Sequence, residues 1–360
     1  MAKKNKSALS EQQGISNPEI TSTASIAAIQ NKRKSALDIN ALTTALLNRN
    51  ISALSRAITL IESENPKHLS QANTIIKACL PHANKSIRIG ITGVPGVGKS
   101  TFIEAFGKHL TGLGKRIAVL AIDPTSSITK GSILGDKTRM EALVKDKNAF
   151  IRPSASRSSL GGVARKTRES IILCEAAGFD VILIETVGVG QSETTVHSMV
   201  DFFLLLKLAG AGDELQGIKR GIIEMADAIA INKADGDNLK NAKLAQIEFN
   251  RALHFYPSKS SGWQPKVSLC SALENKGIDA IWKLIQNYKN TTIQNNYFEE
   301  KRNEQHKYWL IQTVENALKA NFFNNTLIKK ELKKQLELIE SHKTTAFAAA
   351  DYLLSLNVPR

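Results

Sequence analysis

Gly93-Val94-Pro95-Gly96-Val97-Gly98-Lys99-Ser100 fits the phosphate-binding loop pattern G-x-x-x-x-G-K-[ST] at every fixed position. Ile87, Ile89 and Ile91 alternate into a short strand that enters the loop. Thr101-Phe102-Ile103-Glu104-Ala105-Phe106 carries no breaker and reads as the first turns of a helix. The glycines let the backbone curl so that its N–H groups and the helix N-terminus point at negative charge. Lys99 is then placed to reach the β- and γ-phosphates, and the Ser100 hydroxyl to sit on Mg²⁺. The plainer alternative is a Gly-rich turn ahead of an ordinary helix, but strand, loop and helix together favour a nucleotide site running from Gly93 to Thr101.

Outward from the loop, apolar strands alternate with helical stretches. Strands are expected at 116–122, 149–153, 179–185, 201–208, 227–231 and 266–269, which makes the chain an α/β protein: a P-loop NTPase with a mainly parallel, doubly wound sheet. Residues 1–35 are rich in Ser, Asn, Gln, Lys and Thr and read as a flexible tail. Residues 36–84 read as an N-terminal helical extension. Within it Leu47, Ile51, Leu54, Ile58 and Ile61 recur at alternating four and three, predicting one amphipathic helix, and a second is expected from Leu69 to Leu80. The nucleotide domain is expected at 85–290 and a C-terminal helical arm at 291–360. That arm holds a helix pair joined at Asn324-Asn325, whose apolar stripe needs a covering surface.

Composition bounds the function. The chain has 360 residues, a net charge of +15 and 6% aromatic residues. Its lysines are dispersed, without an aromatic platform, so the charge reads as solvated helix faces and no nucleic-acid partner is expected. No apolar run reaches membrane length. Cys79, Cys174 and Cys270 form no C-x-x-C pair, and the seven histidines no metal-binding motif. No secretory signal is recognisable at the start, and Glu11 and Glu19 argue against a transit peptide, so the expected location is cytoplasmic.

Three further segments carry chemistry. Asp123 ends a buried strand and faces the ligand crevice of a doubly wound sheet. Asp136 lies in the polar stretch 126–140, either as a ligand of Mg²⁺ or its waters or as a helix N-cap. Glu185 ends an apolar strand and Gly188 follows three residues later, the pattern in which an acid orders the Mg²⁺ shell and a glycine N–H senses the γ-phosphate. Finally, Asn232-Lys233-Ala234-Asp235 after a strand reads guanine. The Asp235 carboxylate accepts from guanine N1–H and the exocyclic amine, which adenine cannot supply. Asn232 is expected on the other base edge, the Lys233 stem along the ring, and the backbone of Ser271, Ala272 and Leu273 against guanine O6.

These motifs are similar to those of the MeaB/ArgK family of GTPases, bacterial relatives of the human methylmalonic aciduria type A protein. The match is carried by 93–101, Asp123-Pro124-Thr125-Ser126, 131–140, 185–193, Asp213-Glu214-Leu215-Gln216-Gly217-Ile218-Lys219 and 232–235. The resemblance implies a GTP-hydrolysing chaperone that gates cofactor loading onto an adenosylcobalamin-dependent acyl-CoA mutase and protects it. The usual mutase is methylmalonyl-CoA mutase, and such chaperones are homodimeric. It also implies that Asp123, Asp136 and Glu185 serve Mg²⁺ and hydrolysis, and that Lys219 lies in a third switch segment responsive to the mutase. Glu185 stands where Asp is usual, and Val189 where a water-orienting Gln often stands, so slow intrinsic hydrolysis is expected. A nickel-insertion GTPase would want metal-ligand clusters, and a protein-targeting GTPase a Met-rich domain where this chain has 4 Met. An ATP-dependent kinase of periplasmic transport, a role also attached to this family, is opposed by Asp235.

Overall fold

The structure is a computed structural model that describes residues 37–63, 65–122, 140–153, 160–186, 192–209 and 220–356. Its strands are β1 (Ile87–Gly93), β2 (Ile117–Ile122), β3 (Ala149–Pro153), β4 (Val181–Thr186), β5 (Phe202–Leu208), β6 (Ala228–Asn232) and β7 (Lys266–Leu269). Its helices are α1 (Ile39–Leu47), α2 (Ile51–Glu62), α3 (Pro66–Cys79), α4 (Lys99–Gly112), α5 (Glu141–Val144), α6 (Leu160–Ala176) and α7 (Ser192–His197). They continue with α8 (Arg220–Met225), α9 (Leu239–Leu253), α10 (Ile278–Gln294), α11 (Tyr297–Asn324), α12 (Thr326–Glu340) and α13 (Ala346–Ser355).

All seven expected strands form, and they pair in parallel in the order β3-β2-β4-β1-β5-β6-β7. Parallel strands must be covered on both faces, which is why Val181 to Ile184 and Phe202 to Leu206 are unbroken apolar runs. One face is packed by Phe102 and Phe106 of α4 with Ile281, Ile285 and Tyr288 of α10. The other is packed by α6, α7 and α9 together with the N-terminal helices. β1 lies between β4 and β5, so the phosphate loop leaves the middle of the sheet at the carboxyl ends of the strands, where α/β folds bind ligands.

The N-terminal extension departs from its expected form. The single helix predicted through Leu47 and Ile61 is two, because Leu47 ends α1 and Ile51 begins α2. Arg49 between them is left-handed at φ 66°, and the Asn50 side chain accepts from the Ala53 N–H at 2.9 Å. An Asn at a helix start satisfies a donor that nothing else reaches, and this local bond outweighs a continuous apolar period.

At the other end of the chain, α11 is 28 residues long. Phe298, Arg302 and Gln305 in its first half are buried against the base of the sheet. Beyond Trp309 it exposes Leu310, Ile311, Val314 and Leu318. Asn325 joins it to α12 and caps that helix by accepting from the Leu327 N–H at 2.9 Å.

Candidate nucleotide site

The phosphate loop is built by close approach. A Cβ on Gly93 would come within 2.6 Å of the Leu206 carbonyl oxygen of β5, and one on Gly98 within 2.9 Å of Asn232 Nδ2. Gly98 also holds φ 89° as it starts α4, a conformation that favours glycine. Val97 is fully buried and anchors the loop in the core beneath it. Lys99 Nζ donates to the carbonyls of Gly93 at 2.8 Å and Val94 at 3.3 Å, lying across the loop it would share with a phosphate. Ser100 and Thr101 open α4, where its orphan N–H groups concentrate positive potential.

Glu185 is buried at the end of β4, in register with Ile91 of β1 and Ala121 of β2. Leu183, two residues earlier, faces the α4 layer, so strand alternation puts Glu185 on that same side. Ser100 and Glu185 thus offer hard oxygens on the α4 side of the sheet, the donor chemistry Mg²⁺ takes when phosphate and water fill the rest of its shell. Asp123, Asp136, Gly188 and Lys219 lie outside the described residues. The tips of β1 and β4 are also tied by Thr186 Oγ1 donating to Thr92 Oγ1 at 2.9 Å, with both residues buried.

The elements expected to read the base converge at the ends of β6 and β7. The Asp235 carboxylate accepts from the Ser271 hydroxyl, and that oxygen in turn accepts from the Glu274 N–H at 3.1 Å. A cavity of about 290 Å³ opens beside the pair, lined by Asp235, Gly236, Leu239, Cys270, Ser271 and Lys276 among others. The exposed Lys233 carries a left-handed backbone at φ 57°, which brings its stem over Gly98.

Two groups expected at the base also bond within the protein. Asn232, expected on a base edge, is engaged within the protein. Its Nδ2 donates to Val97 O at 2.8 Å, and its Oδ1 accepts from the Ala272 N–H at 3.1 Å and from Cys270 Sγ at 3.7 Å. It braces the base-reading strand against the phosphate loop. Burial pushes the Cys270 thiol up to about 12, so it stays protonated and can donate. The Ser271 and Ala272 N–H groups, expected to meet guanine O6, donate to Lys276 O at 2.9 Å and to Asn232 Oδ1. A Ser271–Lys276 bridge closes this turn, and Leu273 projects into solvent. The Ser271 hydroxyl, which holds Asp235, was not among the expected site groups. The only trace of it in the sequence is a Ser two residues after the last strand.

A phosphate loop at the centre of a parallel sheet, with an Asp-bearing base reader two strands away, defines a P-loop nucleotide-binding protein of the guanine type. The model of the family described as "Methylmalonyl Co-A mutase-associated GTPase MeaB" matches residues 54–327. Escherichia coli GTPase ArgK is 47% identical over 274 residues, covering 76% of this chain and 83% of that protein. A mouse mitochondrial protein named as the methylmalonic aciduria type A homolog is 42% identical over 326 residues, covering 88% of this chain and 79% of that protein. A crystal structure described as a LAO/AO transport system kinase superposes with a TM-score of 0.73 at 36% identity, covering 89% of this chain and 99% of that one. The chain belongs to the MeaB family and is a GTPase that hydrolyses GTP to GDP.

Proposed function

We propose that GTP binding and hydrolysis by this chain gate cofactor loading onto an adenosylcobalamin-dependent acyl-CoA mutase and protect that enzyme, methylmalonyl-CoA mutase being the favoured partner. The family description supports the mutase partner. The observation that carries the guanine half is the Asp235 carboxylate held by the Ser271 hydroxyl beside an open cavity. In this reading Lys99 and the loop from Gly93 to Thr101 hold the phosphates. Ser100, Asp123, Asp136 and Glu185 would hold Mg²⁺, which would neutralise charge developing on the β- and γ-oxygens. Gly188 senses the γ-phosphate, and Lys219 belongs to a segment that answers to the mutase. Asn232, Lys233 and Asp235, with Ser271, Ala272 and Leu273, frame the base.

In this proposal the chain is organised as a helical extension at 36–84, the GTPase domain at 85–290 and a dimerisation arm at 291–360, while residues 1–35 lie outside the described residues. Leu310, Ile311, Val314 and Leu318 are exposed on α11, an apolar surface that pairing of two copies would bury. Among the described residues no helix is long and apolar enough to cross a membrane. A cytoplasmic location is a separate part of the proposal.

The test is calorimetry of GTP against ATP, followed by turnover with and without purified mutase. GTP should bind far more tightly than ATP. Asp235→Asn should lose roughly 10-fold or more for GTP while gaining xanthosine triphosphate, whose oxygen at C2 the amide can meet. Turnover should stay below about 1 s⁻¹ alone and rise with the mutase. Equal affinity for ATP, with phosphoryl transfer to a transport protein, would instead favour the kinase role named for the solved structure. Unchanged turnover with every acyl-CoA mutase supplied would sink the chaperone role.

A further inference from the structure

We propose that α11 is a coupling bar joining the segment downstream of Glu185 to the C-terminal arm, acting through the backbone carbonyls of Ser198, Val200 and Asp201. The proposal rests on the nucleotide reading above, because α7 and the 198–201 connector follow β4, at whose end Glu185 stands.

The connector is gripped from two sides. On one side it lies tight against β1, the strand that delivers the phosphate loop. A Cβ on Gly90 would come within 2.9 Å of Val196 Cγ1 and 3.1 Å of Val200 Cγ2, so only glycine allows the approach. The Asp201 N–H donates to Arg88 O at 2.9 Å, and the Arg88 N–H returns a bond to Asp201 Oδ2 at 2.8 Å.

On the other side one stripe of α11 takes the connector carbonyl by carbonyl. Trp309 Nε1 donates to Ser198 O at 3.0 Å, Gln305 Nε2 to Val200 O at 2.8 Å and Lys301 Nζ to Asp201 O at 2.7 Å. Positions 301, 305 and 309 are successive turns of one helix face. Arg302 completes the grip with both Asp201 carboxylate oxygens, at 2.8 and 2.7 Å, and with the carbonyls of Asn84 at 2.9 Å and Ser86 at 2.8 Å.

This joint is polar where a permanent seam would be apolar. Arg168 of α6 lies over the Trp309 ring, 5.6 Å from its centroid. Its Nη1 and Gln305 Oε1 are buried and have no hydrogen-bond partner among the described residues. Buried polar groups left short of partners are costly, and a contact that carries them has bonds to exchange when its geometry shifts. Past Trp309 the helix leaves the domain and carries the exposed apolar face into the arm. From Arg302, Trp309 is roughly 10 Å along the axis and Asn324 roughly 33 Å, so a displacement at the clamp grows about threefold at the arm.

The experiment is hydrogen exchange on the full chain with GDP and with a non-hydrolysable GTP analogue. Amides of α11 beyond Trp309 should change protection by about five-fold or more between the two states, in step with peptides spanning β4 to α7. A Gln305→Met, Trp309→Phe double variant keeps most of the side-chain volume and removes two carbonyl contacts. It should still bind both nucleotides, keep its sheet amides protected and reduce the α11 difference to less than about two-fold. If β4–α7 peptides respond in the parent chain and α11 does not, the clamp is a static anchor and the proposal is overturned. The same follows if neither region responds although nucleotide binds. Failure of both nucleotides to bind would overturn the nucleotide reading itself, and the coupling with it.

Discussion

Asp235 can read a base only while its carboxylate is held in place, and the group that holds it is the Ser271 hydroxyl, 36 residues away in the chain. Ser271→Ala frees the carboxylate to rotate and also strips the Glu274 N–H of its acceptor. Hydrogen bonds to charged groups contribute about 1.5–3 kcal/mol, so GTP affinity should fall roughly ten-fold or more in a calorimetric titration. Ser271→Thr, which keeps a hydroxyl, should recover most of it. The N-K-x-D spacing made Asp235 legible, because a carboxylate after a strand has one obvious chemistry. The partner was not legible, since nothing in the spacing of Ser271 says that its side chain turns toward β6. The brace that Asn232 makes was hidden for a related reason. Its amide nitrogen carries two donors, and only the packing of β6 beside the phosphate loop shows that one of them goes to Val97 O.

At the scale of elements, strands were more legible than helix boundaries. Each central strand is buried on both faces, and a run such as Val181 to Ile184 is stable only where both of its faces are covered. The N-terminal helices obey a weaker rule. Their apolar period passes unbroken through Asn48-Arg49-Asn50, yet the chain turns there because Asn50 caps α2. Asn50→Ala removes that bond and should cost about 1 kcal/mol, read as a fall of about 2 °C in thermal midpoint with hydrolysis unchanged. The neighbouring helices start the same way: Asp38 accepts from the Asn40 and Ala41 N–H groups of α1, and Asn65 from the Lys67 N–H of α3.

At the scale of the whole molecule, the base of the sheet is a buried charge network assembled from distant segments. Arg88 of β1 pairs with Glu175 of α6 at 3.0 Å, and Asp201 pairs with Arg302 of α11 at 2.7 Å. Burial alone would raise the Asp201 carboxyl, but the Arg302 guanidinium outweighs it and holds the group below the usual carboxylate range. His197, at the end of α7, sits in the same region with its ring edge-on to Phe203, centroids 5.5 Å apart. Burial, reinforced by Lys301 and Lys259 against the opposing Asp227, lowers His197 from 6.5 to about 4. Between those values the unfolded chain takes a proton that the folded chain refuses, so this contribution is intact above about pH 6.5 and is lost as the pH falls toward 4. Urea unfolding at pH 5 should show about 2 kcal/mol less stability than at pH 7 from this residue, and His197→Gln should flatten that part of the profile.

The order of strands, loops and acids along the chain determined by itself that a parallel sheet presents a phosphate loop and a guanine reader, because those signals are local runs and fixed spacings. Tertiary structure alone decided that Ser271 holds Asp235, that Asn232 braces the phosphate loop and that α11 grips the connector behind α7. Each of these rests on polar groups 36 to 135 residues apart. The direction and satisfaction of such bonds are set only when the sheet brings their elements together.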